Sequence, residues 1–114
     1  MASNIKINFN SITFNNDILE IQDSNTPTTQ IYLKYSLIVG DIPISGTISQ
    51  NVQDTFNYIQ LNYNSSNRYN VVADYTSGSE SITITDNIGN SNFSVVQNTT
   101  SGRLSTDIVN DPIV

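Results

Sequence analysis

A chain of 114 residues with net charge −6 carries only four basic side chains, Lys6, Lys34, Arg68 and Arg103, too few to neutralise a run of phosphates, so no nucleic-acid partner is expected. No apolar run approaches the roughly 20 residues of a spanning helix, and the acidity opposes an anionic membrane surface, so no membrane partner is expected either. With neither His nor Cys, disulfides, thiolate zinc sites and imidazole-based nucleophilic mechanisms are excluded.

Taken in chain order, Ile5, Ile7 and Phe9 alternate with polar residues as a half-buried strand, and Ile12 with Phe14 continue on the other parity, which a bulge near Asn10-Ser11 explains. Asn15-Asn16-Asp17 signals a turn, Ile18-Leu19-Glu20-Ile21 a short strand, and Asp23 to Thr29 with Pro27 a loop. A long strand is expected next. Ile31, Leu33, Tyr35, Leu37 and Val39 share one face, Tyr32, Lys34, Ser36 and Ile38 the other, and Gly40-Asp41 ends the run. Ile42 to Ile48 reads as an edge strand, where Pro43 removes no central ladder bond.

The period then changes. Val52, Phe56, Ile59 and Tyr63 lie at the steps of one helix face, predicting a short helix near 51–61, capped by Ser49 or Asn51 with Asp54 in its first turn. Ile59, Leu61 and Tyr63 also alternate, so a strand competes with it. Beyond the Asn62 to Arg68 connector, Tyr69, Val71, Ala73 and Tyr75 form a strand, Ile82 and Ile84 its hairpin partner, and Phe93 with Val95 a last core strand. The expected organisation is a mainly β (α+β) fold, an antiparallel, sandwich-like sheet domain over 1–98 with one short helix, a C-terminal arm over 99–114, and extended terminal arms.

Chemistry is sparse along this chain. Glu20, Asp54, Asp74 and Glu80 are available to a two-carboxylate mechanism, but nothing pairs them, and no enzymatic activity and no cofactor are expected. Asp86, Asn87 and Asn90 beside Gly89 suggest either a calcium loop or a hairpin turn, and the spacing does not fit the EF-hand. The tyrosines at 32, 35, 58, 63, 69 and 75 divide between core and surface, with Tyr32 a candidate surface anchor. Sequons at Asn64, Asn92 and Asn98 follow from the Asn-rich and Ser-rich composition. Met1 to Lys6 run into a strand pattern without the features of a signal peptide, so synthesis in a cytoplasm is expected.

Gly46-Thr47-Ile48-Ser49, the Val52, Phe56, Ile59 face, Tyr69 to Ala73, Ile82 to Thr85, Gly89 and Phe93-Ser94-Val95 together make a capped helix, an Asn-rich connector and strands parted by Gly turns. Over residues 46–96 this resembles small structural domains of tailed-bacteriophage virion proteins, of tail, baseplate, connector or capsid-accessory type. The resemblance implies a non-catalytic virion subunit whose partners are other virion structural proteins and further copies of itself. Strand-like ends also suit addition to a neighbour's sheet edge, so Ile5, Ile7, Tyr32, Leu104, Ile108, Val109, Ile113 and Val114 are the expected assembly residues. A carbohydrate- or host-receptor-binding sandwich module is the alternative, and an adhesin or pilus domain a third.

Overall fold

In the computed structural model, which describes residues 3–24, 28–87 and 92–110, the chain forms eight strands and one helix. They are β1 (Asn4–Phe9), β2 (Asp17–Asp23), β3 (Thr29–Ser36), β4 (Ile42–Pro43), α1 (Ile48–Tyr63), β5 (Tyr69–Asp74), β6 (Ser81–Asp86), β7 (Phe93–Asn98) and β8 (Leu104–Val109). Two four-stranded sheets result, ordered β5-β6-β1-β8 and β4-β3-β2-β7. Every pairing is antiparallel except that of β3 with β4. A single core unites the inner faces, with Ile5, Ile7, Leu19, Ile21, Ile31, Leu33, Ile82 and Ile84 fully buried beside Val52 and Ile59 of the helix.

The termini depart from expectation. The start of the chain is no arm: β1 sits between β6 and β8 in its sheet. Nor does an arm begin at Thr99, because β8 pairs with β1 from Asn4↔Val109 to Phe9↔Leu104. The polar stretch before it is a tight connection in which Thr100 is buried, its Oγ1 accepting from Leu104 N at 3.1 Å. Residues 111–114 of the expected arm lie outside the described residues. At the other turn of β1, Ile12 and Phe14 lie outside any strand. Both parities being apolar there marks the departure from the sheet.

Helix α1 begins before the expected cap. Thr47 is the N-cap, its Oγ1 accepting from Gln50 N at 3.3 Å, which moves Asp54 out of the first turn, where it accepts from Gln50 Nε2 at 2.9 Å. The side facing the sheets carries Asn51, Val52, Thr55 and Ile59, and Thr55 Oγ1 lies 2.7 Å from the hydroxyl of buried Tyr35. Burial pushes that hydroxyl well above the usual tyrosine range, so it remains a donor and acceptor. At the helix end, Tyr63 Oη accepts from Tyr32 N at 3.0 Å, covering part of the β3 edge that the short β4 leaves open.

Asn64 then joins the helix to β5. Its Oδ1 accepts from Tyr69 N at 2.8 Å and its Nδ2 donates to Tyr69 O at 3.0 Å, both in buried surroundings. Asn64→Ala strands those backbone groups and is expected to cost about 1–3 kcal/mol, read as a lowered urea midpoint. Burial also closes the Asn64 sequon to modification of the folded chain.

Each end of β2 turns an aspartate inward. Asp17 receives Arg103 through both carboxylate oxygens, Nε to Oδ2 at 2.7 Å and Nη2 to Oδ1 at 2.6 Å, while the guanidinium lies 4.1 Å from the Phe14 ring centroid. Burial alone raises the Asp17 carboxyl, but the Arg103 and Phe14 N hydrogen bonds and the Arg103 charge outweigh it and hold the group below the usual range. A depressed carboxyl contributes stability that is complete above its unfolded value near pH ~4 and is lost as pH falls through the folded one. Arg103→Gln is therefore expected to lower the urea midpoint at pH 7, with a smaller gap from wild type at pH 3. An equal gap at both pH values contradicts the ionic role.

Candidate assembly surface

Strand β3 stops at Ser36, and the chain leaves and re-enters the sheet through Leu37–Asp41 before Ile42 settles beside Tyr35. Local hydrogen bonds fix this excursion. Ser36 Oγ donates to Asp41 Oδ2 at 2.7 Å and accepts from Ile38 N at 2.9 Å, Asp41 N donates to Ile38 O at 3.2 Å, and Gly40 supplies a φ of +103° that a side chain would disfavour. Lys34 Nζ stands 3.9 Å from Asp41 at its base. What this frame presents is apolar: Leu37, Ile38 and Val39 are 81, 64 and 100% exposed. Pro43 and Ile44 complete the flank.

A second apolar region lies where the sheets separate. β7 pairs only with β2 and β8 only with β1, so among the described residues no ladder joins the facing edges of β7 and β8. Side-chain amides close the two ends of this seam. At one end Asn98 Nδ2 donates to Leu104 O at 3.0 Å. At the other Asn110 does for Phe93 what a neighbouring strand does, Oδ1 accepting from Phe93 N at 2.8 Å and Nδ2 donating to Phe93 O at 3.3 Å. Between them Val95, Val96, Ile108 and Val109 are 38, 48, 38 and 44% exposed. The opposite flank is different, because α1 packs against β3, β4, β5 and β6.

The expected assembly residues divide accordingly. Ile108 and Val109 stand at the seam. Ile5, Ile7 and Leu104 do not reach the surface: each is fully buried, because β1 is a central strand and Leu104 begins β8 opposite Phe9. Tyr32 is half-buried, its backbone occupied by Tyr63, so it stands beneath the helix end instead of projecting as an anchor. Ile113 and Val114 lie outside the described residues.

Leu37 to Val39 were not among the expected residues, since an unbroken alternation assigns Leu37 and Val39 to the core. One signal was available. Three successive aliphatic residues occupy both faces of a strand that elsewhere separates Ile31, Leu33 and Tyr35 from polar neighbours, and such a run ahead of a glycine marks chain leaving the sheet.

Other features of the sequence resolve locally. Asp86 of the calcium-loop reading faces inward, 3.6 Å from Arg68 Nε, and Gly89 and Asn90 lie outside the described residues. Glu20 accepts from Gln97 Nε2 at 2.8 Å and Asp74 from Thr76 N at 2.9 Å. A polar groove of about 560 Å³ runs over the outer face of β1 and β8, lined by Lys6, Asn8, Asn10, Ser79, Glu80 and Asp107. No family model, curated protein or solved structure matches the chain.

Proposed function

We propose that this chain is a non-enzymatic structural subunit of a phage virion, in its tail, connector or capsid-accessory region, working through protein–protein assembly contacts. The observation that carries the assembly reading is the Leu37-Ile38-Val39 loop. Soluble surfaces scatter single exposed aliphatic residues, whereas adjoining ones on a fixed frame mark a surface that another protein covers. Because Ser36, Asp41 and Gly40 already hold the loop in place, docking it costs little further conformational entropy. The virion setting rests on the resemblance over residues 46–96.

Sedimentation velocity over a concentration series, with co-purification trials against the proteins encoded beside it, tests this reading. Association with itself or with one of those proteins is the expected result. A chain that stays monomeric at high concentration and captures none of them ends it.

A second reading, carbohydrate or host-receptor binding, is favoured by the groove over β1 and β8. Asn8 Nδ2 donates to Asp107 Oδ2 at 2.9 Å and Asn10 Nδ2 to Ser105 Oγ at 3.0 Å, which fixes two amide side chains, each also carrying an oxygen able to accept from a hydroxyl, along the groove. Of the tyrosines, Tyr35 and Tyr69 are core residues and add no stacking surface. Glycan-array binding that Asn8→Ala abolishes supports this reading, and a silent array removes it.

A further inference from the structure

The four edges of the two sheets end in one recurring arrangement. On β5, Asn64 Oδ1 accepts from Tyr69 N at 2.8 Å and Asn64 Nδ2 donates to Tyr69 O at 3.0 Å. On β7, Asn110 does the same for Phe93, at 2.8 and 3.3 Å. On β8, Leu104 N donates to Thr100 Oγ1 at 3.1 Å and Leu104 O accepts from Asn98 Nδ2 at 3.0 Å. The fourth edge belongs mostly to β3, since β4 pairs only with Tyr35 and Ser36. There the Tyr63 hydroxyl accepts from Tyr32 N at 3.0 Å and donates to Tyr32 O at 3.4 Å. At every edge, side chains take both backbone groups of one strand residue, as a neighbouring strand would. We propose that these side chains close the sheet edges to strand addition, so that neither a second copy nor another chain pairs with them edge to edge. The closure is independent of the assembly reading and limits it: a partner of this chain meets its side chains and not its ladders.

The register of each ladder shows that the bonded residues are the outward ones. Asn16 N donates to Tyr35 O, Asn87 N to Arg68 O, Ser24 N to Asn92 O and Asn10 N to Arg103 O, so these four face the strand already paired. By the alternation of an antiparallel ladder Tyr32, Tyr69, Phe93 and Leu104 then face away, where an added strand would bond. Open edges template the pairing of further chains. A strand arriving at these positions exchanges bonds already made and gains nothing from them. What remains open is short against the roughly 5–6 residues of an ordinary strand. Tyr32 lies in mid-strand and splits the β3 edge in two. On β8 only Thr106 and Ile108 face outward beyond Leu104, and on β5 Val71 and Ala73 follow Tyr69, their side chains packed against the core. The choice of residue fits the task as well. An asparagine amide carries both the donor and the acceptor of a peptide group, and Asn64, Asn98 and Asn110 are three of the five side chains that make these bonds.

Tyr63→Phe combined with Asn110→Ala opens two of the edges while sparing the core, since the first keeps its ring and the second lies on the surface. Both are made in an Ile38→Asp background, which sets the apolar loop aside. The opened chain is expected to keep the circular dichroism spectrum of the background. It is also expected to sediment as species that grow with concentration beyond the background level, with a matching rise in the infrared band of strand pairing between chains. Ile7→Ala in the same background separates edge pairing from simple loss of stability, because it weakens the core and leaves all four edges bonded. It is expected to stay at the background level. Should the combined variant fail to fold, Tyr63→Phe and Asn110→Ala are each read alone. A folded, opened chain that associates no more than the background overturns the proposal, and so does an Ile7→Ala chain that associates as strongly as the opened one. Neither result bears on the apolar loop, whose own test is the association of the wild type.

Discussion

Arg68→Met is expected to lower the urea midpoint sharply at neutral pH. Arg68 stands between two carboxylates with no solvent exposure, Nη2 at 3.1 Å from Asp23 and Nε at 3.6 Å from Asp86. The two acids come from different sheets, Asp23 from the end of β2 and Asp86 from the end of β6, so one cation ties the sandwich together where its strands finish. Tyr69 adds to the cluster, its hydroxyl donating to Asp23 Oδ2 at 2.9 Å. Burial, then that bond and the Asp23 charge, push the Tyr69 hydroxyl well up, so it stays a donor. Removing one partner of a buried pair costs about 3–5 kcal/mol. Here the removal strips the cation from two carboxylates, against a total stability of roughly 5–15 kcal/mol for a domain. Circular dichroism with urea titration reads the loss. The triple variant Arg68→Met, Asp23→Asn, Asp86→Asn is expected to regain most of it, because no charge is then buried. A triple variant as unstable as the single one assigns the effect to lost packing of the arginine stem and not to charge.

The ends of β2 show how far residue patterns carry the fold and where they stop. Alternation located β1, β3, β5, β6 and β7, and four-three-four spacing located α1, because burial on one face is written into the order of apolar and polar residues. Asp17 and Asp23 share the inward parity of Leu19 and Ile21, yet composition alone assigns each to a turn or loop. Their burial depends on Arg103 and Arg68, which arrive from distant parts of the chain, and no local pattern records that meeting. Strand β8 was illegible for a related reason. Only Leu104 of its residues is fully buried, so it shows no alternation, and its place is set by the free side of β1. The assembly surface was half legible: Ile108 and Val109 follow from their apolar character, while Leu37 to Val39 were hidden by an alternation that the chain abandons at Ser36.

Ile7→Ala is expected to separate the core from the assembly surface. Read as a sequence, Ile7 belongs to a terminal segment free to join a neighbour. In the fold it has no solvent exposure and lies opposite Ile82 on one side and Thr106 on the other. Truncating an isoleucine so placed removes buried methylenes and leaves a cavity that flanking strands cannot collapse to fill, costing about 2–5 kcal/mol. Ile38→Asp touches an exposed side chain on a loop fixed by Ser36 and Asp41, and surface changes of that kind stay within about 0.5 kcal/mol. The two variants should therefore behave oppositely. Ile7→Ala lowers the urea midpoint sharply, while its folded fraction still associates; Ile38→Asp keeps the midpoint and loses association. An Ile7→Ala chain with wild-type stability and impaired association means that β1 is itself the contact strand, as its sequence first suggests.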